Sequence, residues 1–194
     1  MSALLERRSV VARVLTGRRD LAVVGGLGAA TYDIAAAGDH ERNFYLWGAM
    51  GGAAMIGLGL ALAQPDTPVL VITGDGEMLM GLGAFATIGA QCPGNLSVLV
   101  LDNGLYEETG AQQTHTALTT DLAAVARACG IADARVVADD EALGGFAERL
   151  HRIGNAPSVA VAKIAPSSAP KVLPSRDGAW LRTRMRGAFG YPAQ

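Results

Sequence analysis

The sequence predicts an α/β fold with three layers, α/β/α, around a mostly parallel central sheet. Val69 to Ile72 and Leu96 to Leu101 are short, nearly continuous apolar runs rich in Val and Leu, the pattern of strands buried on both faces. Between them Glu77 to Gln91 reads as one helix, with Met78, Leu82, Phe85 and Gly89 at helical spacing. A right-handed crossover through that helix sets the two strands parallel in one sheet.

The remaining segments extend the alternation. Met1 to Gly17 reads as an amphipathic helix, Leu21 to Val24 as the first strand, about Ala29 to Ala37 as a helix and Asn43 to Leu46 as a short strand. Asp121 to Cys129 and Asp139 to Ile153 read as helices, Arg135 to Val137 and Ser158 to Ile164 as strands. These elements make one domain over residues 1–165. From Pro166 to Pro174 the chain turns rich in Pro, Ser and Ala, an extended start to an extension over 166–194. Ala179 to Phe189 then reads as a helix carrying Arg182, Arg184 and Arg186, either docked on the domain or a neighbouring subunit or simply solvated.

Composition narrows the function classes. A chain that is 50% hydrophobic and 18% charged can bury an ample core, and its net charge of -2 gives no global attraction to nucleic acid. The N-terminus lacks the apolar core of a secretory signal. The apolar stretch Met50 to Ala63 is shorter than the roughly 20 residues that span a bilayer. Cys92 and Cys129 form no Cys-x-x-Cys. A cytoplasmic protein with neither a nucleic-acid nor a membrane partner is expected.

Two turns stand out. Gly74-Asp75-Gly76 and Asp102-Asn103-Gly104-Leu105-Tyr106 each lie just past the end of an apolar strand, where open α/β sheets bind ligands. A carboxylate, an amide oxygen and a backbone carbonyl form the hard oxygen set that Mg²⁺ accepts. Gly74 and Gly76 permit close backbone approach, and a helix starting near Glu77 presents unpaired N–H groups to an anion. Read singly, either turn is an ordinary Gly- or Asn-containing turn.

Together, Gly74-Asp75-Gly76 and the later Asn103 resemble the metal and diphosphate motif of thiamine diphosphate enzymes. The resemblance implies the thiamine diphosphate-binding fold, with Mg²⁺ held by the side chains of Asp75 and Asn103 and the carbonyl of Leu105. Gly74, Gly76, Glu77 and Tyr106 then lie at the cofactor. The usual first asparagine is replaced by Asp102, while the implied ligand Asn103 is retained.

Further residues follow from the same resemblance. By offset from Gly74, Gly48 corresponds to a carbonyl that binds the pyrimidine amino group, and Met50 to the apolar prop that bends the cofactor. Gly28 and Thr31, in the loop after the first strand, serve either the diphosphate or a packing turn. Glu108, Gln113 and His115, in the polar loop beyond Asn103, are candidates for proton transfer or substrate binding, although a solvated connector would carry the same residues.

Such enzymes pair this diphosphate domain with a pyrimidine domain, for which the chain has no second α/β unit. The pattern is most similar to split decarboxylases of the sulfopyruvate and phosphonopyruvate type. It implies a separate pyrimidine-binding subunit, an α2β2 or larger assembly, and a small 2-oxo acid substrate. A carboligase making acyloin or acetolactate-type products, or a noncatalytic nucleotide-binding module, are the alternatives.

Overall fold

The computed structural model describes residues 4–166 and 169–191, so the first three residues of the expected N-terminal helix and residues 167–168 of the expected extended segment lie outside the described residues. In chain order the elements are α1 (Arg7–Leu15), β1 (Ala22–Gly25), α2 (Ala29–Ala36), β2 (Asn43–Tyr45), α3 (Ala53–Ala63), β3 (Val69–Gly74), α4 (Asp75–Met80), α5 (Ala84–Gln91) and β4 (Leu96–Asp102). There follow β5 (Leu105–Tyr106), β6 (Gln112–Gln113), α6 (Leu122–Ala128), β7 (Asp133–Val137), α7 (Asp140–Arg149), β8 (Ser158–Lys163) and α8 (Gly178–Ala188).

Six strands form one sheet in the order β2-β1-β3-β4-β8-β7, and every neighbouring pair is parallel. Successive side chains of a strand point to opposite faces. Val69 and Val71 pack with α3, α5 and α6, while Leu70 and Ile72 pack with α1, α2 and α7. All seven residues of β4 are buried. That double burial explains why the central strands are continuous apolar runs rather than alternating ones.

The structure corrects the single helix expected over Glu77 to Gln91, which is α4 and α5 separated by a turn at Gly81-Leu82-Gly83. Glycines are poor helix formers. Here Gly81 also lies against the backbone of Gly51, where an added Cβ would fall 2.2 Å from the Gly51 carbonyl oxygen. The break brings the loop before α3 onto the end of α4. Met78 and Phe85 are buried as the helical spacing requires, and Leu82 packs from the turn itself.

Other boundaries differ less. α7 ends at Arg149 rather than Ile153, and the Arg149 guanidinium donates to Asp133 and to the Ala156 carbonyl. The polar loop after Asn103 contains a small antiparallel hairpin, β5 with β6. α8 lies on β2 of its own chain, where Arg184 donates to Asp39 and to the Asn43 carbonyl. Among the described residues no helix is long and apolar enough to cross a membrane.

Gly81→Ala should destabilise the fold by roughly 1–3 kcal/mol, the cost of forcing a methyl against packed backbone. Urea denaturation of the two proteins measures the difference.

Candidate functional site

Parallel pairing sets the site. Gly74 of β3 is in register with Leu101 of β4, so the chain leaves both strands at one level and delivers Asp75 and Asp102-Asn103 to the same sheet edge. Asp75 is only 2% exposed. Its Oδ2 accepts hydrogen bonds from the hydroxyls of Thr114, at 2.5 Å, and Thr116, at 3.0 Å. Burial, and then the nearby charge of Asp102, push the Asp75 carboxyl above its ordinary value. Asp75 makes no ion pair among the described residues.

Asp102 is equally buried but differently held. Its Oδ1 accepts from the Thr116 hydroxyl at 2.7 Å and the Gly104 N–H at 3.1 Å, and its Oδ2 pairs with the Lys163 ammonium. Thr116 has one hydroxyl proton, so it serves one of the two carboxylates at a time. Asn103 Oδ1 accepts the Leu105 N–H at 2.9 Å, which closes the turn into β5. That oxygen retains a second lone pair.

A cavity of about 110 Å³ opens beside these groups. Of the residues singled out in the sequence, Met50, Gly74, Asp75, Gly76, Glu77, Asn103, Leu105, Tyr106 and Glu108 line it. The Tyr106 ring covers the Gly76 backbone so closely that a Cβ on Gly76 would lie 2.5 Å from Cε1, with the Met50 methyl 3.6 Å away. Glu108 stands at the mouth and pairs with Lys171 at 3.2 Å.

Five of the expected residues stand outside the lining. Gly28, the residue before α2, lies against the Glu108 side chain, and Gly48 sits in an open turn. Gln113 and His115 are exposed on the loop beyond β5, and the His115 carbonyl accepts the N–H groups of Leu118, Thr119 and Thr120. Thr31 donates to the Gly26 carbonyl at 2.6 Å and is fully buried in the turn it closes.

Several residues at the site were not foreseen. Thr114 and Thr116 hold Asp75 from a loop whose return path the sequence does not encode locally. Lys163 meets Asp102 because the two are in register at the ends of β8 and β4. Once the strand order is known, opposite charges ending two adjacent parallel strands are a readable signal. Arg7, from α1, lines the cavity and donates to Asp33 at 2.6 Å and Glu107 at 2.9 Å.

The donor set suits a hard divalent ion. Among the described residues no cluster of three or more His, Cys, Asp or Glu could hold a metal alone. One unpaired buried carboxylate, one amide oxygen and a neighbouring carbonyl leave octahedral positions for water and phosphate oxygens.

The raised pKa of Asp75 has a defined sign for the ligand-free protein. The stability associated with the protonated carboxyl is fully present below the ordinary value of 3.8 and is lost as pH rises through the higher folded value. Asp75→Asn keeps an acceptor for the threonines and removes the buried charge. It should therefore stabilise the ligand-free protein at pH 7 by about 1 kcal/mol, within the usual range of a single stabilising substitution. The gain should disappear in acid, as followed by urea denaturation across pH.

Comparison with known proteins adds to this geometry. The chain is 51% identical over 112 residues to a phosphonopyruvate decarboxylase of Streptomyces viridochromogenes, covering 58% of this chain and 28% of that protein. It is 34% identical over 168 residues to the sulfopyruvate decarboxylase subunit beta of Methanococcus maripaludis, covering 87% of this chain and 90% of that one. The chain thus spans under a third of the first relative and nearly all of the second. The crystal structure of benzoylformate decarboxylase from Polynucleobacter necessarius shares the fold, with a TM-score of 0.70 and 18% identity over 86% of this chain and 34% of that one. Residues 24–162 match the thiamine pyrophosphate enzyme C-terminal TPP binding domain, and the chain belongs to that family.

Proposed function

We propose that this chain is the diphosphate- and Mg²⁺-binding subunit of a split thiamine diphosphate-dependent 2-oxo acid decarboxylase. It acts in the cytoplasm on a small sulfopyruvate- or phosphonopyruvate-like substrate, and a separate pyrimidine-domain subunit completes its site. The observation that carries the reading is Asp75, a buried carboxylate without a cation, brought to the same sheet edge as Asn103 beside a cavity floored by Gly74 and Gly76.

In this reading Asp75, Asn103 and the Leu105 carbonyl would hold Mg²⁺, which would supply positive charge to the diphosphate of the cofactor. Thiamine diphosphate, when bound, supplies the electron sink that decarboxylation of a 2-oxo acid requires. The protein's own groups bind, orient and exclude water. Tyr106 and Met50 close apolar surface over the Gly76 backbone, and Thr114 fixes the Asp75 carboxylate. Glu108, at the mouth, is placed to exchange a proton or to meet a charged group of the substrate. Gln113 and His115 act from the outer side of the same loop, where a partner closes on it.

The surface supports a partner. Between Gly48 and Leu101 the only charged residues are Asp66, Asp75 and Glu77, of which the last two are buried. Within this stretch Met55 and Leu62 of α3 and Met80 of α4 are exposed. Apolar surface depleted of charge is what the centre of a permanent interface shows. One relative of matching length is named a beta subunit, and another carries the matched segment within a much longer chain. Both arrangements favour a site completed by further polypeptide, in an α2β2 or larger assembly.

Calorimetric titration of thiamine diphosphate with Mg²⁺, into the chain alone and with its pyrimidine-domain partner, tests the reading. Binding should be weak alone and strong in the complex, and it should be lost with EDTA or in Asp75→Ala. Asn103→Ala should weaken it at least tenfold. A protein that binds nucleotide and never thiamine diphosphate would be a noncatalytic α/β module instead.

A further inference from the structure

Glu77 lies at the cavity but directs its carboxylate elsewhere. It is in the first turn of α4, 3% exposed, and it makes no ion pair among the described residues. Its Oε2 accepts the Leu27 N–H at 2.8 Å and the Thr73 hydroxyl at 2.9 Å. Oε1 has no hydrogen-bond partner among the described residues. One side chain therefore contacts the β1–α2 loop and the end of β3.

The surroundings are shaped to this carboxylate. A Cβ on Gly26 would fall 2.0 Å from Oε2, so only glycine admits the approach. The Gly26 N–H donates to the Ile72 carbonyl at 2.8 Å, and the Gly26 carbonyl accepts from Thr31. Leu27 lines the cavity on one side, and Met50, next to Gly51, lines it on another. A buried carboxylate without a cation costs stability. Merely filling space would not require one.

We propose that Glu77 is a positioning residue that ties the β1–α2 loop to the end of β3 and the Gly74-Asp75-Gly76 turn, holding the Leu27 backbone beside the cavity at fixed spacing before the cofactor arrives. The proposal rests on the cofactor reading above for its consequence and on the hydrogen bonds of Glu77 for its cause. Ordering loops in advance lowers the cost of binding. Loss of such an outer partner of a site typically weakens binding 10–100-fold.

The test compares Glu77→Ala, Glu77→Gln and Gly26→Ala in the assembled complex. Three readouts are followed: the affinity for thiamine diphosphate with Mg²⁺, the split between kcat and the cofactor KM, and hydrogen exchange at Leu27. Glu77→Ala should raise the cofactor KM about 10–100-fold, leave kcat at saturating cofactor near wild type and accelerate exchange at Leu27. Glu77→Gln, which keeps an acceptor for the Leu27 N–H, should stay within a few-fold of wild type. Should Glu77→Ala not fold, Gly26→Ala decides, since its methyl displaces the same carboxylate and should give the same rise. Unchanged affinity in the folded variant, or unchanged exchange at Leu27, overturns the proposal. Failure of the wild-type complex to bind thiamine diphosphate would defeat the cofactor reading instead, and the exchange measurement would still decide whether Glu77 holds the loop.

Discussion

Two buried carboxylates, Asp75 and Asp102, meet across the single hydroxyl of Thr116, and one cation, Lys163, is paired with only one of them. The rest of the site is arranged around that imbalance. Like charges at such a distance disfavour joint ionisation, and burial disfavours it further. Lys163 settles Asp102. Asp75 is left without a cation among the described residues, a state tolerable for a protonated carboxyl and costly for an ionised one. A divalent cation at Asp75 would invert that preference, because the ion becomes the largest local charge and favours the ionised form.

A fold can carry such a site only if its remainder is stable without it. Removing a partner from a buried ion pair typically costs about 3–5 kcal/mol. Burying a Val, Leu or Ile side chain contributes roughly 1.5–3 kcal/mol. β3 and β4 bury such side chains on both faces, against α3, α5 and α6 on one and α1, α2 and α7 on the other. The strands that end at this edge are thus buried along nearly their whole length. Their parallel register both stabilises the sheet and brings Asp75 and Asn103 to one level.

This division explains what the sequence made legible. Double-sided burial writes continuous apolar runs, so Val69 to Ile72 and Leu96 to Leu101 announce their strands directly. Asp75 and Asn103 follow, because a strand end and a turn residue are both local features. The break between α4 and α5 was hidden. Met78 and Phe85 keep a common helical spacing across it, and the reason for the break, the Gly51 backbone, lies far away in sequence. Thr114, Thr116 and Lys163 were hidden for the same reason, since each reaches the site from a loop or strand whose position only the assembled sheet defines. Gly28 and Gly48 were singled out by the resemblance, Gly48 by its offset from Gly74, and an offset along the chain does not encode which side of a loop faces a cavity.

Asp102 shows how the site accommodates a departure from the asparagine usual in the motif it resembles. An added buried negative charge beside Asp75 would by itself be destabilising. Here it is in register with Lys163, so the charge and its counter-charge terminate adjacent strands. The ammonium occupies Oδ2, which leaves Oδ1 to accept from the Gly104 N–H and the Thr116 hydroxyl. An asparagine oxygen could make the same two contacts without a cation. The two solutions therefore hold the turn into Asn103 through one acceptor atom, and they differ in whether the sheet must supply a lysine one strand away.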